Sequence, residues 1–153
     1  ELVLGVISRI AETLIDLGAP LVGQSYETGR STGAASTTNT TNIDPTFADA
    51  ISLTWSSLPD GTYDFVVAFS MLASHSTAGG VSFRSTVGAS NGAGHTITVD
   101  TGTTPTLRIE SQELYSNVVV AGGVTIKGQY AVGTSGTAYA KNPSLRVTAL
   151  RKA

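Results

Sequence analysis

The chain contains no cysteine, a single methionine and a single tryptophan, and only 13% of its 153 residues are charged. Without cysteine there is no disulfide framework, no thiolate metal ligand and no cysteine nucleophile, so stability must come from packing or assembly. Soluble monomers ordinarily carry about 25% charged residues. A surface this sparsely charged is expected to lie partly against a neighbour. The net charge of −2 supplies no basic field to attract nucleic acid or an anionic membrane surface, so neither is an expected partner. No apolar run reaches the roughly 18 residues of a membrane-spanning helix.

What the chain has instead is 17 Ser, 22 Thr and 17 Gly. Thr favours the pleated surface of a sheet while Gly and Ser favour bends, so the composition is that of strands joined by polar turns. The apolar opening Glu1 to Leu17 is not expected to be a signal peptide, because it begins with an acid and carries Arg9, Glu12 and Asp16. In it Val3, Ile7, Ile10, Leu14, Leu17 and Leu21 are spaced alternately four and three apart. That heptad seam predicts a helix over 1–17, stopped by Gly18 and Pro20. With β-branched residues at both seam positions, the packing preference shifts toward three or more strands. A helix of under three heptads is marginal alone. It is expected either to bundle with copies of itself or a partner, making these six residues the candidate interface, or to lie on its own domain.

Three segments follow from the patterning: helix and linker at 1–23, a Ser/Thr-rich arm or polar edge strands at 24–46, and a β-sandwich at 47–153. Strands are predicted at Phe47 to Trp55, Thr62 to Ala73, Val81 to Val87, His95 to Asp100, Thr106 to Glu113, Val118 to Val132 and Ala138 to Leu150. Turn signals punctuate them at Pro59-Asp60-Gly61, Gly79-Gly80, Asn91-Gly92, Gly102, Gly122-Gly123 and Gly133 to Gly136. Clean alternation in Tyr63, Phe65, Val67 and Phe69, and in Leu145, Val147 and Ala149, places one face inward and one outward. With one more strand from Gln24 to Ser31 the count is about eight. That suits an all-β, two-sheet antiparallel sandwich of jelly-roll type with a short N-terminal helix; an immunoglobulin-like order is the topological alternative.

Residues able to carry chemistry are few. His75 and His95 are the only imidazoles, and neither has an acidic residue beside it in sequence. Gly133-Thr-Ser-Gly136 has the wrong spacing for a nucleophile elbow. The metal-binding spacings are absent, with no His pair at i and i+4 and no Asp-rich calcium loop, and no cofactor is expected. Asp60 and Asp100 are expected as turn residues. The glycine cluster Gly88 to Gly94 lacks the lysine and helix of a phosphate cradle, and a hairpin loop is the simpler expectation. Trp55, Tyr63, Tyr115, Tyr130 and Tyr139 are the rings that a sugar site would use. Alternation assigns Trp55 and Tyr63 to the core, whereas Tyr115 and Tyr139, nearer strand ends, are candidates to touch a ligand or neighbour. Asn39-Thr40-Thr41 matches a glycosylation acceptor.

The stretch Leu58 to Ser70 (LPDGTYDFVVAFS) is similar to the strand that follows a Pro-Gly turn in C1q/TNF-like jelly rolls. The ending Gly136 to Arg151 (GTAYAKNPSLRVTALR) resembles the closing strands of jelly-roll structural proteins in tailed-phage virions. Across residues 47–150 the resemblance implies a homotrimeric virion protein, seated on the major capsid protein as a decoration (cement) subunit or forming part of a head fibre. It implies no catalytic residues. A short apolar helix and a Thr-rich arm stand where a fibre shaft would be, which favours the decoration subunit. Two other functions remain open: a tail-fibre or receptor-binding module, and a carbohydrate-active enzyme. The enzyme needs two carboxylates facing one cleft about 5 to 10 Å apart. Glu110 and Glu113, three residues apart on a strand, point to opposite faces.

Overall fold

A computed structural model describes residues 22–32, 37–77 and 79–153. Val3, Ile7, Ile10, Leu14, Leu17 and Leu21, and with them the expected helix, lie outside the described residues.

Among the described residues ten strands follow one another: β1 (Ser25–Ser31), β2 (Thr38–Thr40), β3 (Ala48–Trp55), β4 (Gly61–His75), β5 (Gly79–Val87), β6 (Ser90–Asn91), β7 (His95–Val99), β8 (Leu107–Val120), β9 (Val124–Val132) and β10 (Ala138–Arg151). Period-two alternation generates the long ones. In β4 the residues Tyr63, Phe65, Val67, Phe69 and Met71 are buried, while Asp64, Val66, Ala68 and Ser70 between them face outward.

The long strands pair as nested couples, all antiparallel. β1 pairs with β10, β3 with β9, β4 with β8, and β5 with β7: first with last, second with second last, and so inward to one hairpin. Rolled up, that ribbon gives two sheets ordered β1-β10-β4-β8 and β3-β9-β5, with β6 and β7 both on β5 and short β2 on β10. This is the jelly-roll order, and it replaces the immunoglobulin-like alternative.

The core lies between the sheets. Tyr63, Phe65, Val67, Phe69 and Leu145 face Ile126, Tyr130, Val81 and Val87 across it. Each such side chain contributes about 1.5–3 kcal/mol by leaving water. Gly128 on β9 leaves room for the Phe69 ring, which any Cβ at that position would overlap.

Three sequence expectations need correction. The run Val118 to Val132, expected as one strand, is two: Val118–Val120 finish β8, and β9 begins at Val124 beyond the Gly122-Gly123 turn. Strand β8 continues past Glu113 because Asn117 adopts a left-handed φ of 56° while its N–H donates to Asp64 Oδ1 at 2.9 Å. That bulge, marked by the register shift between Tyr63 and Phe65, absorbs an irregularity that otherwise ends a strand. Finally Tyr115, expected near a strand end, sits well inside β8 with its ring buried. The described residues of the Ser/Thr-rich segment include the strands β1 and β2.

Candidate functional site

The two outer faces of the sandwich differ in what their side chains have left to bind. On the β3-β9-β5 sheet, Asp49 accepts from Lys127 Nζ at 2.6 Å and Gln129 Nε2 at 2.7 Å. Gln129 in turn accepts from Arg84 Nε at 3.0 Å, and the Arg84 guanidinium lies 4.1 Å over the Phe47 ring. Partial burial pushes the Asp49 carboxyl up, but the hydrogen bonds from Gln129 and Lys127 outweigh it, and the group settles below its ordinary range. The polar groups of this face are occupied by one another.

The outer face of β1-β10-β4-β8 is arranged otherwise. Register sets Thr148, Val66 and Leu114 in one row across three strands, and Gly29, Arg146, Ala68 and Gln112 in the next row across four. Leu114 is 67% exposed and Leu150, one row away, is 41% exposed. Strand β4 separates these two leucines, and beside them the small residues Gly29 and Ala68 leave a shallow trough of about 690 Å³, bordered by Glu27, Gln112, Arg146 and Thr148. It continues toward Ser70, Ser144 and Glu110. The one aromatic residue along it, Phe69, is buried in the core, so the trough lacks the exposed stacking platform that sugar rings use.

One further concentration of chemistry lies at the open edge of the sandwich, between β5 and β8. Glu113 Oε2 accepts hydrogen bonds from the Ser85 N–H at 2.8 Å, from the Ser85 hydroxyl, and from the Tyr115 hydroxyl at 3.0 Å. Its Oε1 is buried without a hydrogen-bond partner, 3.8 Å from Nε2 of the half-exposed His95. The ring of His95 rests against Phe83, centroids 5.7 Å apart. Burial pushes the Tyr115 phenol well above its ordinary range, and the neighbouring Glu113 charge pushes the same way. Gly92, from the glycine cluster, closes over the carboxylate so tightly that a Cβ there would overlap it. Serine hydroxyl, phenol and amide are all spent on one oxygen. The arrangement acts as a polar staple joining one sheet to the other.

The remaining singled-out residues scatter. Glu110 is exposed and Glu113 buried, on opposite faces of β8 as their spacing predicts, so this pair does not flank a common cleft. His75 is buried, its Nδ1 2.6 Å from the Thr77 carbonyl oxygen. Trp55, Tyr63 and Tyr130 belong to the core. Asp60 and Asp100 hold turns, accepting from the Gly122 N–H at 2.7 Å and the Thr106 hydroxyl at 3.0 Å. Asn39 is exposed on β2, whereas Thr40 is buried. Sequence reasoning missed the Ser85–Glu113–Tyr115 cluster and the exposure of Leu114. The available signal was register: Ile109, Glu113 and Tyr115 share an inward face, which puts a carboxylate in the core and Leu114 outside it.

No protein-family model matches the sequence, and no curated protein does. Among solved structures the chain is similar to that of the infectious bursal disease virus Gx strain, with 13% identity and a TM-score of 0.44 over 83% of this chain and 32% of that one. It is also similar to the EclA C-terminal domain, a sugar-binding protein, with 5% identity and a TM-score of 0.45 over 74% of this chain and 79% of that one. Carbohydrate-binding module CBM36, in complex with calcium and xylotriose, has 16% identity and a TM-score of 0.31, with 79% and 97% covered. The chain spans about a third of the length of the viral chain, 32%. The nested strand pairing establishes the jelly roll independently of these likenesses.

Proposed function

We propose that the chain is a non-enzymatic virion structural subunit, a homotrimeric decoration (cement) protein seated on the major capsid protein of a tailed-phage head. The observation that carries this reading is the outer face of β1-β10-β4-β8, which keeps Leu114 and Leu150 in solvent while the opposite face satisfies its own polar groups. Exposed leucines, with Val119 also in solvent on β8, are the kind of side chain that an assembling surface covers. The low charge of the sequence and the seam Val3, Ile7, Ile10, Leu14, Leu17 and Leu21 support the same conclusion. Catalysis receives little support: the most concentrated polar cluster is committed to its own hydrogen bonds, and Glu110 and Glu113 face apart. A receptor-binding module is less favoured because the trough has no exposed ring for a glycan to stack on.

Two measurements test the reading. Light scattering on the full chain at two concentrations is expected to give the mass of three chains, and Ile10→Asp is expected to weaken the assembly by burying an unpaired charge in the seam. Heads of the encoding virus, stripped of this subunit, are expected to co-sediment with the added protein. Heads that leave it in the supernatant would exclude the decoration role, and a glycan array hit would redirect it to host recognition.

A further inference from the structure

Of the five asparagines only Asn91 is followed by glycine; Thr40, Ile43, Val118 and Pro143 follow the others. Asparagine before glycine is chemically labile, because a residue without Cβ lets its amide nitrogen reach the side-chain carbonyl carbon of the asparagine. Asn91 is exposed on the two-residue strand β6, and its side chain makes no hydrogen bond to a described residue. The pairing of β6 with β5 sets Asn91 opposite Thr86 and Ser90 opposite Val87. What restrains the labile pair is Gly92, whose N–H donates to the Ser85 carbonyl at 3.0 Å. Ser85 is also the residue whose N–H and hydroxyl bind Glu113, so the labile pair and the polar staple share one partner. The glycine is required at this place, since a Cβ on Gly92 would overlap the Glu113 carboxylate.

We propose that Asn91–Gly92 is a deamidation site gated by the polar staple between β5 and β8. The chemistry needs only water. With the bond to Ser85 broken, the Gly92 nitrogen attacks Asn91 Cγ. The N–Cγ bond forms, the Cγ–Nδ2 bond breaks, and ammonia leaves with the proton that the Gly92 nitrogen held. Water then opens the cyclic imide at either carbonyl, giving aspartate or isoaspartate at position 91. Either product adds a negative charge one residue from the Glu113 contact, and isoaspartate also lengthens the main chain by one methylene just before Gly92. A glycine seated that closely has no room for the shift, so the modified edge closes less well than the original. While the staple is shut the nucleophile is held, and the reaction runs only from molecules whose β5–β6 edge has opened. Deamidation therefore records, irreversibly, how often that edge opens.

The test ages the full chain at neutral pH and locates the product by peptide mapping in a mass spectrometer, with isoaspartate methyltransferase labelling as a second readout. Wild type is expected to deamidate at Asn91 alone, and about tenfold or more slower than the same chain unfolded in urea. Glu113→Gln exchanges charge-assisted hydrogen bonds for neutral ones of about half the strength. It is expected to quicken the native rate roughly fivefold and to leave the rate in urea unchanged, with circular dichroism checking that the sheet is kept. Hydrogen exchange on wild type gives a reading that needs no variant: the Gly92 amide is expected to be protected by the same factor as Asn91, because both need Ser85 released. A native rate equal to the unfolded rate, equal native rates in wild type and Glu113→Gln, product at another asparagine, or a Gly92 amide protected by a different factor overturns the gated site. The aged chain, separated by ion exchange, is expected to unfold at lower urea than fresh chain, and an unchanged midpoint overturns the link between the modification and the staple.

Discussion

Glu113 draws three donors onto a single oxygen, and its removal strands the buried Ser85 N–H and leaves the Ser85 and Tyr115 hydroxyls, 2.7 Å apart, only each other. Glu113→Ala is expected to cost about 2–4 kcal/mol, read as a fall in the urea midpoint without a change of slope. The phenol of Tyr115 adds a pH dependence whose sign follows from its raised pKa. An unfolded tyrosine ionises near pH 10. The stability contributed by the neutral buried phenol is therefore complete below about pH 10 and is lost as pH climbs from there toward the folded value. The urea midpoint is expected to decline above about pH 10 in wild type and to decline less in Tyr115→Phe. A residual slope remains, because burial raises the Tyr130 phenol as well. Little of this cluster was legible in the sequence. Ser85 and Glu113 are 28 positions apart on strands of different sheets, and only the fold makes them neighbours. The opposite orientations of Glu110 and Glu113, by contrast, were legible, because strand periodicity alone decides them.

Strand β8 runs for 14 residues at the edge of its sheet, bonded to β4 on one side only. A long unpaired edge is a template for unwanted pairing, and proteins blunt such edges with inward charges and bulges. Glu113 is the inward charge here and Asn117 the bulge. Asn117→Val forces a β-branched residue into a left-handed conformation that asparagine tolerates, at a cost of about 1–3 kcal/mol. The variant is expected to melt lower and to aggregate sooner on heating, seen as light scattering preceding the loss of sheet signal. At the next turn, Gly123 has φ 97°, and a Cβ there would lie 2.9 Å from the Trp55 carbonyl oxygen. Gly123→Ala is expected to lose at least about 1–2 kcal/mol by chemical denaturation. Most strands were readable because alternation runs through β3, β4, β5, β9 and β10. The end of β8 was not, since a bulge preserves the strand while breaking its periodicity.

At the scale of the whole molecule, about eight strand-like runs implied a sandwich, yet the sheet order came only from the structure, since pairing between distant strands leaves no local mark. The nesting of strand pairs also dictates when the fold can close. β10 lies between β1 and β4, with Ser25 opposite Leu150 and Val67 opposite Val147, yet it follows both partners in the chain. Until β10 is made, β1 has no neighbour in its sheet and β4 lacks one of its two. A ribosome-bound chain halted before Ala138 is thus expected to remain sensitive to protease. Once released, the chain must bring β10 onto β4 across more than sixty residues and onto β1 across more than a hundred, so refolding is expected in milliseconds to seconds rather than microseconds. Synthesis of β10 is therefore the event that commits the polypeptide to its native state, and a chain broken off before it would remain for quality control to clear.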